Sequence, residues 1–189
     1  LAALEASGAA DKTLVIFTSD NGCAPYIGVK DLEAKGHFPS GPLRGYKADA
    51  WEGGHRVPFL VRWPGVVKPG ARCDQLVMQA DFMATFAEVL GAKLPPTAGE
   101  DSVSLLPLLR GEDKAIRQHG ISHASSGLPS LRQGQWKILF GPAGGGVAAA
   151  AAAKAEPNAP RVQLYDLATD LDRKSTRLNS SHANISYAV

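Results

Sequence analysis

The stretch TLVIFTSDNG (residues 13–22) decides the fold. Its first six residues are almost continuously apolar and rich in β-branched side chains, the composition of a strand buried on both faces in an α/β sheet. Asp20, Asn21 and Gly22 end that run abruptly. In open α/β sheets, ligands bind just beyond the carboxyl ends of the strands, where the backbone turns and side chains converge. Asp-Asn-Gly is also ordinary turn chemistry. If the tripeptide holds something, its carboxylate and neighbouring amide oxygen are two hard donors. They suit Ca²⁺ or Mg²⁺ and are poor for softer metals. Calcium takes about six to eight oxygens, so the remaining ligands must come from other segments.

Working outward, LAALEASG (1–8) has the pattern of the last turns of an amphipathic helix closed by Gly8. It has neither a basic n-region nor a start methionine, and the expectation is a fragment entered in the middle of an element. Residues 22–50 are loop-rich. VPFLVRW (57–63) is a second strand, stopped by Pro64 and Gly65. DFMATFAEVLG (81–91) is a helix with Asp81 near its start, apolar positions at Phe82, Phe86, Val89 and Leu90, and Gly91 after its end. LRQGQWKILF (131–140) and RVQLYDL (161–167) are two strands of a hairpin or small antiparallel sheet. The expected class is α/β, the late part of an α/β domain over 1–118 followed by an antiparallel subdomain over 119–171. The Gly/Ala-rich stretch at 141–160 reads as a surface insertion without function.

Composition sets the outer bounds. The 189 residues are 44% hydrophobic and 20% charged, ordinary for one globular domain or one with a small appendage. A formal net charge of +2 gives no case for nucleic acid or a charged membrane surface, and no apolar run reaches membrane-spanning length. Cys23 and Cys73 make no disulfide framework and no C-x-x-C pair. The tail, residues 172–189, carries a basic cluster and two N-x-S sequons at Asn179 and Asn184. Back-translated, however, it resembles a sequencing adapter and is set aside as an artefactual tail.

A second block, GPLRGYKADAWEGGHRVPF (41–59), gathers Arg44, Lys47, His55 and Arg56 in a Gly-rich loop leading into a strand. Cations on flexible backbone suit an anionic oxyacid group, with Lys acting as a point charge and Arg as a fork. The plainer reading is a solvated basic loop in which Glu52 pairs with Arg56. Gly53 and Gly54 are expected to allow a tight turn before the strand.

Together the blocks resemble the sulfatase family of the alkaline-phosphatase-like superfamily. TLVIFTSDNG, LRGYK (43–47) and EGGHRVPFLVRWPG (52–65) stand in the family's order, followed by DFMATFAEVLG, SLLPLLRG (104–111), LRQGQWKIL and LYDLATD (164–170). The resemblance implies the C-terminal part of a sulfatase-type α/β/α sandwich with a small antiparallel β subdomain. It implies that Asp20 and Asn21 ligate a divalent cation, usually Ca²⁺ and less often Mg²⁺. It makes Lys47 the lysine that contacts the sulfate group and places Arg44 and His37 on the substrate side. His55 has no firm family role, and a structural hydrogen bond in the turn is the better expectation.

The family's nucleophile is a formylglycine made from the Cys or Ser of a C/S-x-P-x-R motif. CAPYI (23–27) has Ile27 where Arg is required. SGPLR (40–44) fits the short pattern but overlaps the LRGYK block and lacks the usual following residues. The nucleophile and first metal carboxylates are therefore expected upstream of this chain, leaving the chain inactive alone. For the intact protein the resemblance implies hydrolysis of a sulfated small molecule or glycan, in the periplasm or outside the cell. Alternatives are a phosphatase or phosphodiesterase of the same superfamily, or a non-catalytic calcium-dependent glycan-binding module.

Overall fold

The structure, a computed structural model, describes residues 1–146 and 161–169. The tail at 172–189 and residues 147–160 of the Gly/Ala-rich stretch lie outside the described residues. In chain order the elements are α1 (Ala2–Ala6), β1 (Val15–Thr18), α2 (Val29–Ala34), α3 (Glu52–His55), β2 (Phe59–Arg62), α4 (Phe82–Val89), α5 (Leu106–Leu109), β3 (His119–His123), β4 (Pro129–Gln133), β5 (Trp136–Leu139) and β6 (Gln163–Asp166). Short 3₁₀ turns occupy Ala10–Lys12, Pro25–Ile27 and Gln79–Asp81. This is an α/β fold with a small antiparallel sheet on its C-terminal side, the class expected from the sequence. No helix among the described residues is long and apolar enough to cross a membrane.

The chain divides into two compact units, and the division is not a single cut near residue 118. One unit contains Leu1–Thr18 and Pro58–Gly120; the other joins Ser19–Val57 to the described residues from Ile121 onward.

In the first unit β1 and β2 form an antiparallel pair, with Val15 opposite Arg62 and Thr18 opposite Phe59. β1 is not buried on both faces as its composition suggests. Phe17 and its cross-strand partner Leu60 are 65% and 58% exposed. Phe59, on the other face by strand alternation, stacks on Phe82 of α4 at 5.8 Å, and Phe82 stacks on Phe86 at 5.7 Å. The apolar positions read for α4 are likewise largely outward, with Phe86, Val89 and Leu90 exposed and Thr85 and Ala87 buried. What fixes α4 is polar. Asp81 is wholly buried and accepts hydrogen bonds from the amides of Met78 (2.8 Å) and Val103 (3.0 Å), while the Arg117 guanidinium closes on both its oxygens. Thr85 Oγ1 donates to the Asp81 carbonyl and accepts from the Leu105 amide. Gly91, in the left-handed region at φ 64°, ends the helix where expected.

The second unit is built on the sheet β3-β4-β5-β6. LRQGQWKILF supplies two strands rather than one, because Gly134 and Gln135 turn the chain and bring Gln133 opposite Trp136. RVQLYDL supplies β6. The register places Arg132, Lys137 and Tyr165 in one row and Ser130, Leu139 and Gln163 in the row two positions along, on the same face. Leu139 and Tyr165 from these rows form the core with Ala50, Trp51, Ala124 and Leu167. The Gly-rich start of the supposed surface insertion is packed, which corrects that expectation for residues 144–146. All three glycines are buried, and the Gly144 carbonyl accepts from the Ala50 amide at 2.6 Å. The Gly146 amide donates to Asp49 Oδ1 at 3.0 Å. A Cβ at position 144 would stand 2.4 Å from the Trp51 ring, so the absence of a side chain is what allows the fit.

Candidate functional site

Three short backbone segments of the second unit lie against one another: residues 20–23, residues 44–50, and α3. The Gly22 amide donates to the Gly54 carbonyl, the Gly53 amide to the Arg44 carbonyl, and the Lys47 amide to the Cys23 carbonyl, each at 2.8 Å. The approach is closer than any side chain permits. A Cβ at Gly22 would fall 1.7 Å from the Gly53 oxygen, one at Gly53 2.0 Å from the Gly45 oxygen, and one at Gly54 2.0 Å from the Asp49 oxygen. None of the three has a left-handed φ. The expected reason for Gly53 and Gly54, turn conformation, is therefore replaced by another, space for neighbouring backbone.

The loop carrying Lys47 is shaped by its own polar groups. Asp49 Oδ2 accepts from the Tyr46 amide at 3.0 Å, the Asp49 amide donates back to the Tyr46 carbonyl at 3.0 Å, and Ala48 between them sits at φ 83°. A non-glycine residue there stores about 1–3 kcal/mol of strain, held by the surrounding bonds. One of these is the Ser125 amide donating to the Ala48 carbonyl at 2.9 Å. The Tyr46 hydroxyl donates to Glu33. That bond, with burial and nearby negative charge, pushes its pKa up to about 12.

The expected site residues divide accordingly. Asp20 is exposed, and Asn21 is half-buried with Nδ2 donating to the Gly22 carbonyl at 3.1 Å, a bond that does not use its Oδ1 acceptor. Lys47 is half-buried, with Nζ 6.0 Å from the centre of the Tyr26 ring. The Arg44 guanidinium carbon lies 3.9 Å from the Trp51 ring centre, a cation–π stack that fixes its plane. His37 is exposed in the turn after α2, and among the described residues no hydrogen bond ties it to residues 20–23 or 44–54. The backbone thus brings together the segments of Asp20, Asn21, Arg44 and Lys47, while residues on either side of His37 reach the Lys47 loop through the Tyr46–Glu33 and Ser40–Gly45 hydrogen bonds. Of the two sequences that imitate a nucleophile motif, Ser40 donates its hydroxyl to the Gly45 carbonyl at 3.1 Å, and Cys23 lends its carbonyl to Lys47.

No group of three or more His, Cys, Asp or Glu gathers into a metal-binding cluster among the described residues. Asp20 and Asn21 nonetheless fit a hard cation in kind. One offers an exposed carboxylate and the other an amide oxygen, while its own nitrogen bonds the Gly22 carbonyl.

A further cluster joins residues far apart in the sequence. Glu52, 1% exposed, has Oε1 2.9 Å from Nζ of Lys137, which is equally buried. That Nζ is also 2.6 Å from His55 Nε2. Glu52 Oε2 faces Arg132 at 3.7 Å and Arg56 at 3.9 Å. The Glu52–Arg56 pair expected on the surface is present but is the longest of these contacts, and His55 bonds across to β5. The signal that could have found the cluster is strand parity: in WKIL (136–139), an inward Leu139 puts Lys137 inward too, and a buried ammonium requires a carboxylate.

The sulfatase family model matches residues 1–92. The N-acetylgalactosamine-6-O-sulfatase of Bacteroides thetaiotaomicron is 39% identical over 132 residues, covering 68% of this chain and 26% of that protein. The steryl-sulfatase of Rattus norvegicus is 43% identical over 150 residues, covering 74% of this chain and 25% of that protein. A solved Bacteroides thetaiotaomicron structure, described under metabolism of multiple glycosaminoglycans, superposes with a TM-score of 0.77 at 33% identity. It covers 95% of this chain and 37% of its own. The chain spans about a quarter of the length of the curated relatives it matches. The chain belongs to the sulfatase family.

Proposed function

We propose that this chain is the part of a sulfuric ester hydrolase that supplies the sulfate-contacting lysine and two ligands of a divalent cation. The observation that carries the reading is the 2.8 Å bond from the Lys47 amide to the Cys23 carbonyl. It ties the lysine's loop to the segment that begins Asp20-Asn21-Gly22. Asp20, through its carboxylate, and Asn21, through Oδ1, would hold Ca²⁺, or Mg²⁺ less readily. The bound cation supplies positive charge against the oxygens of a sulfate ester. Lys47 adds a point charge on a half-buried stem and neutralises charge that builds on those oxygens as the ester bond breaks. Arg44, stacked on Trp51, presents a fixed guanidinium on the substrate side, and His37 contributes from the outer turn.

The nucleophile, a formylglycine, and the remaining cation ligands belong in this reading to a segment outside the chain, so the chain alone is inactive. The substrate is a sulfated small molecule or glycan, met in the periplasm or outside the cell. The test is cation dependence in an active sulfatase that carries this chain as its corresponding segment. Asp20→Ala is expected to raise the Ca²⁺ concentration for half-maximal turnover at least tenfold. An unchanged calcium curve removes Asp20 from the cation.

A further inference from the structure

We propose that Lys137 and Glu52 are positioning residues: their buried ion pair fixes α3, and α3 in turn sets the Lys47 loop against the Asp20-Asn21-Gly22 segment. Only the chemical meaning of that alignment rests on the function proposed above; the mechanical link does not.

The geometry is that of one turn gripped at both ends. α3 begins at Glu52 and ends at His55, and the single Nζ of Lys137 reaches both, at 2.9 Å to Glu52 Oε1 and 2.6 Å to His55 Nε2. His55 Nε2 also lies 3.5 Å from Glu52 Oε1, so the two ends of the turn and the Lys137 ammonium form one cluster. Two points of attachment fix the rotation of a single turn as well as its position. The carboxylate is oriented further from the neighbouring strand, because Arg132 of β4 stands opposite Lys137 of β5 and faces Oε2.

The two residues between the grips, Gly53 and Gly54, carry the contacts to the loops. The Gly53 amide holds the Arg44 carbonyl, and the Gly54 carbonyl accepts from Gly22. With would-be Cβ positions at 1.7–2.0 Å from facing carbonyl oxygens, these contacts have no slack, and a displacement of α3 passes to both segments. A buried ion pair is a weak source of net stability, since well-packed apolar residues often do as well or better. A pair that sets the rotation of one turn has a use that apolar packing, which is non-directional, does not replace.

The test is amide hydrogen exchange on this chain with Lys137→Met. Exchange at Gly22, Lys47 and Gly53 is expected to accelerate about a hundredfold or more, since the substitution removes the shortest ion-pair contact of the buried Glu52 carboxylate and leaves it the longer ones to Arg132 and Arg56. The β1–β2 ladder amides serve as reference and stay within about threefold. If the reference amides are lost as well, His55→Ala removes one grip only, at a half-exposed site, and is expected to accelerate the same three amides about tenfold. Unchanged exchange at those amides overturns the inference.

In an active sulfatase carrying this chain, Lys137→Met is expected to lower kcat about a hundredfold with KM within about threefold, the effect of misplacing a catalytic group by about 1 Å. Loss of turnover with Lys47→Ala but not with Lys137→Met overturns the positioning role. Accelerated exchange with full turnover in both variants upholds the link and overturns the function proposed for Lys47.

Discussion

Gly22→Ala tests the stacked segments most sharply, because its cost can be worked from distances. The new Cβ would lie 1.7 Å from the Gly53 oxygen and 2.8 Å from the Gly53 carbonyl carbon. A carbon and a carbonyl oxygen approach to about 3.3 Å at the closest, so α3 and residues 20–23 must separate by roughly 1.5 Å. Added to the 2.8 Å bond from the Gly22 amide to the Gly54 carbonyl, that displacement breaks it. The lost bond costs about 1 kcal/mol. Overpacking adds about 1–3 kcal/mol. No backbone-strain component enters, since Gly22 does not have a left-handed φ. The sum, about 2–4 kcal/mol, corresponds to a fall in Tm of roughly 4–16 °C for a chain of this size. Gly8→Ala is the control, because Gly8 sits at φ 70° with nothing within 4 Å of its would-be Cβ. It should cost only the left-handed penalty of about 1–2 kcal/mol. Urea denaturation of the two variants beside the parent gives both numbers. Gly22→Ala within about 0.5 kcal/mol of the parent would refute the close stacking.

Other consequences are open to the same kind of measurement. Tyr46 should titrate near pH 12, seen as tyrosinate absorbance, and Glu33→Gln should move it back toward the ordinary value of about 10. Since the folded-state value is raised, this phenol's contribution to stability is complete below about pH 10 and is lost as pH rises toward 12, so the fall in stability over that range should be smaller in Glu33→Gln. Asp81→Ala strands Arg117 and leaves the Met78 and Val103 amides without their acceptor, which should cost about 3–5 kcal/mol in equilibrium denaturation.

The parts of this structure legible in the sequence are those fixed by neighbours along the chain. β1, its abrupt stop at Asp20-Asn21-Gly22, β2 before Pro64-Gly65, and α4 closing on Gly91 all depend on local pattern and turn chemistry. The expected site residues Asp20, Asn21, Arg44 and Lys47 fall on segments that the backbone joins. Legibility fails where a residue's role depends on a distant partner. Glu52 and Lys137 are 85 positions apart, and the Glu52–Arg56 spacing offered a nearer, plausible substitute. Gly22, Gly53 and Gly54 look like turn residues because the carbonyls that exclude a side chain come from other segments. Gly144 reads as part of a featureless tract for the same reason, since its place is set by Asp49, Ala50 and Trp51, far away in the sequence. Strand composition likewise could not tell that Phe17 and Leu60 would remain exposed among the described residues.

The claim at the centre of this account is that Lys47 meets the sulfate group. The direct measurement is kcat for a sulfate ester in an active sulfatase carrying this chain, compared with its Lys47→Ala variant. The account predicts a loss of about 10²–10³-fold, the effect of removing one charge-stabilising donor from a preorganised site. Turnover within about threefold of the parent would contradict it.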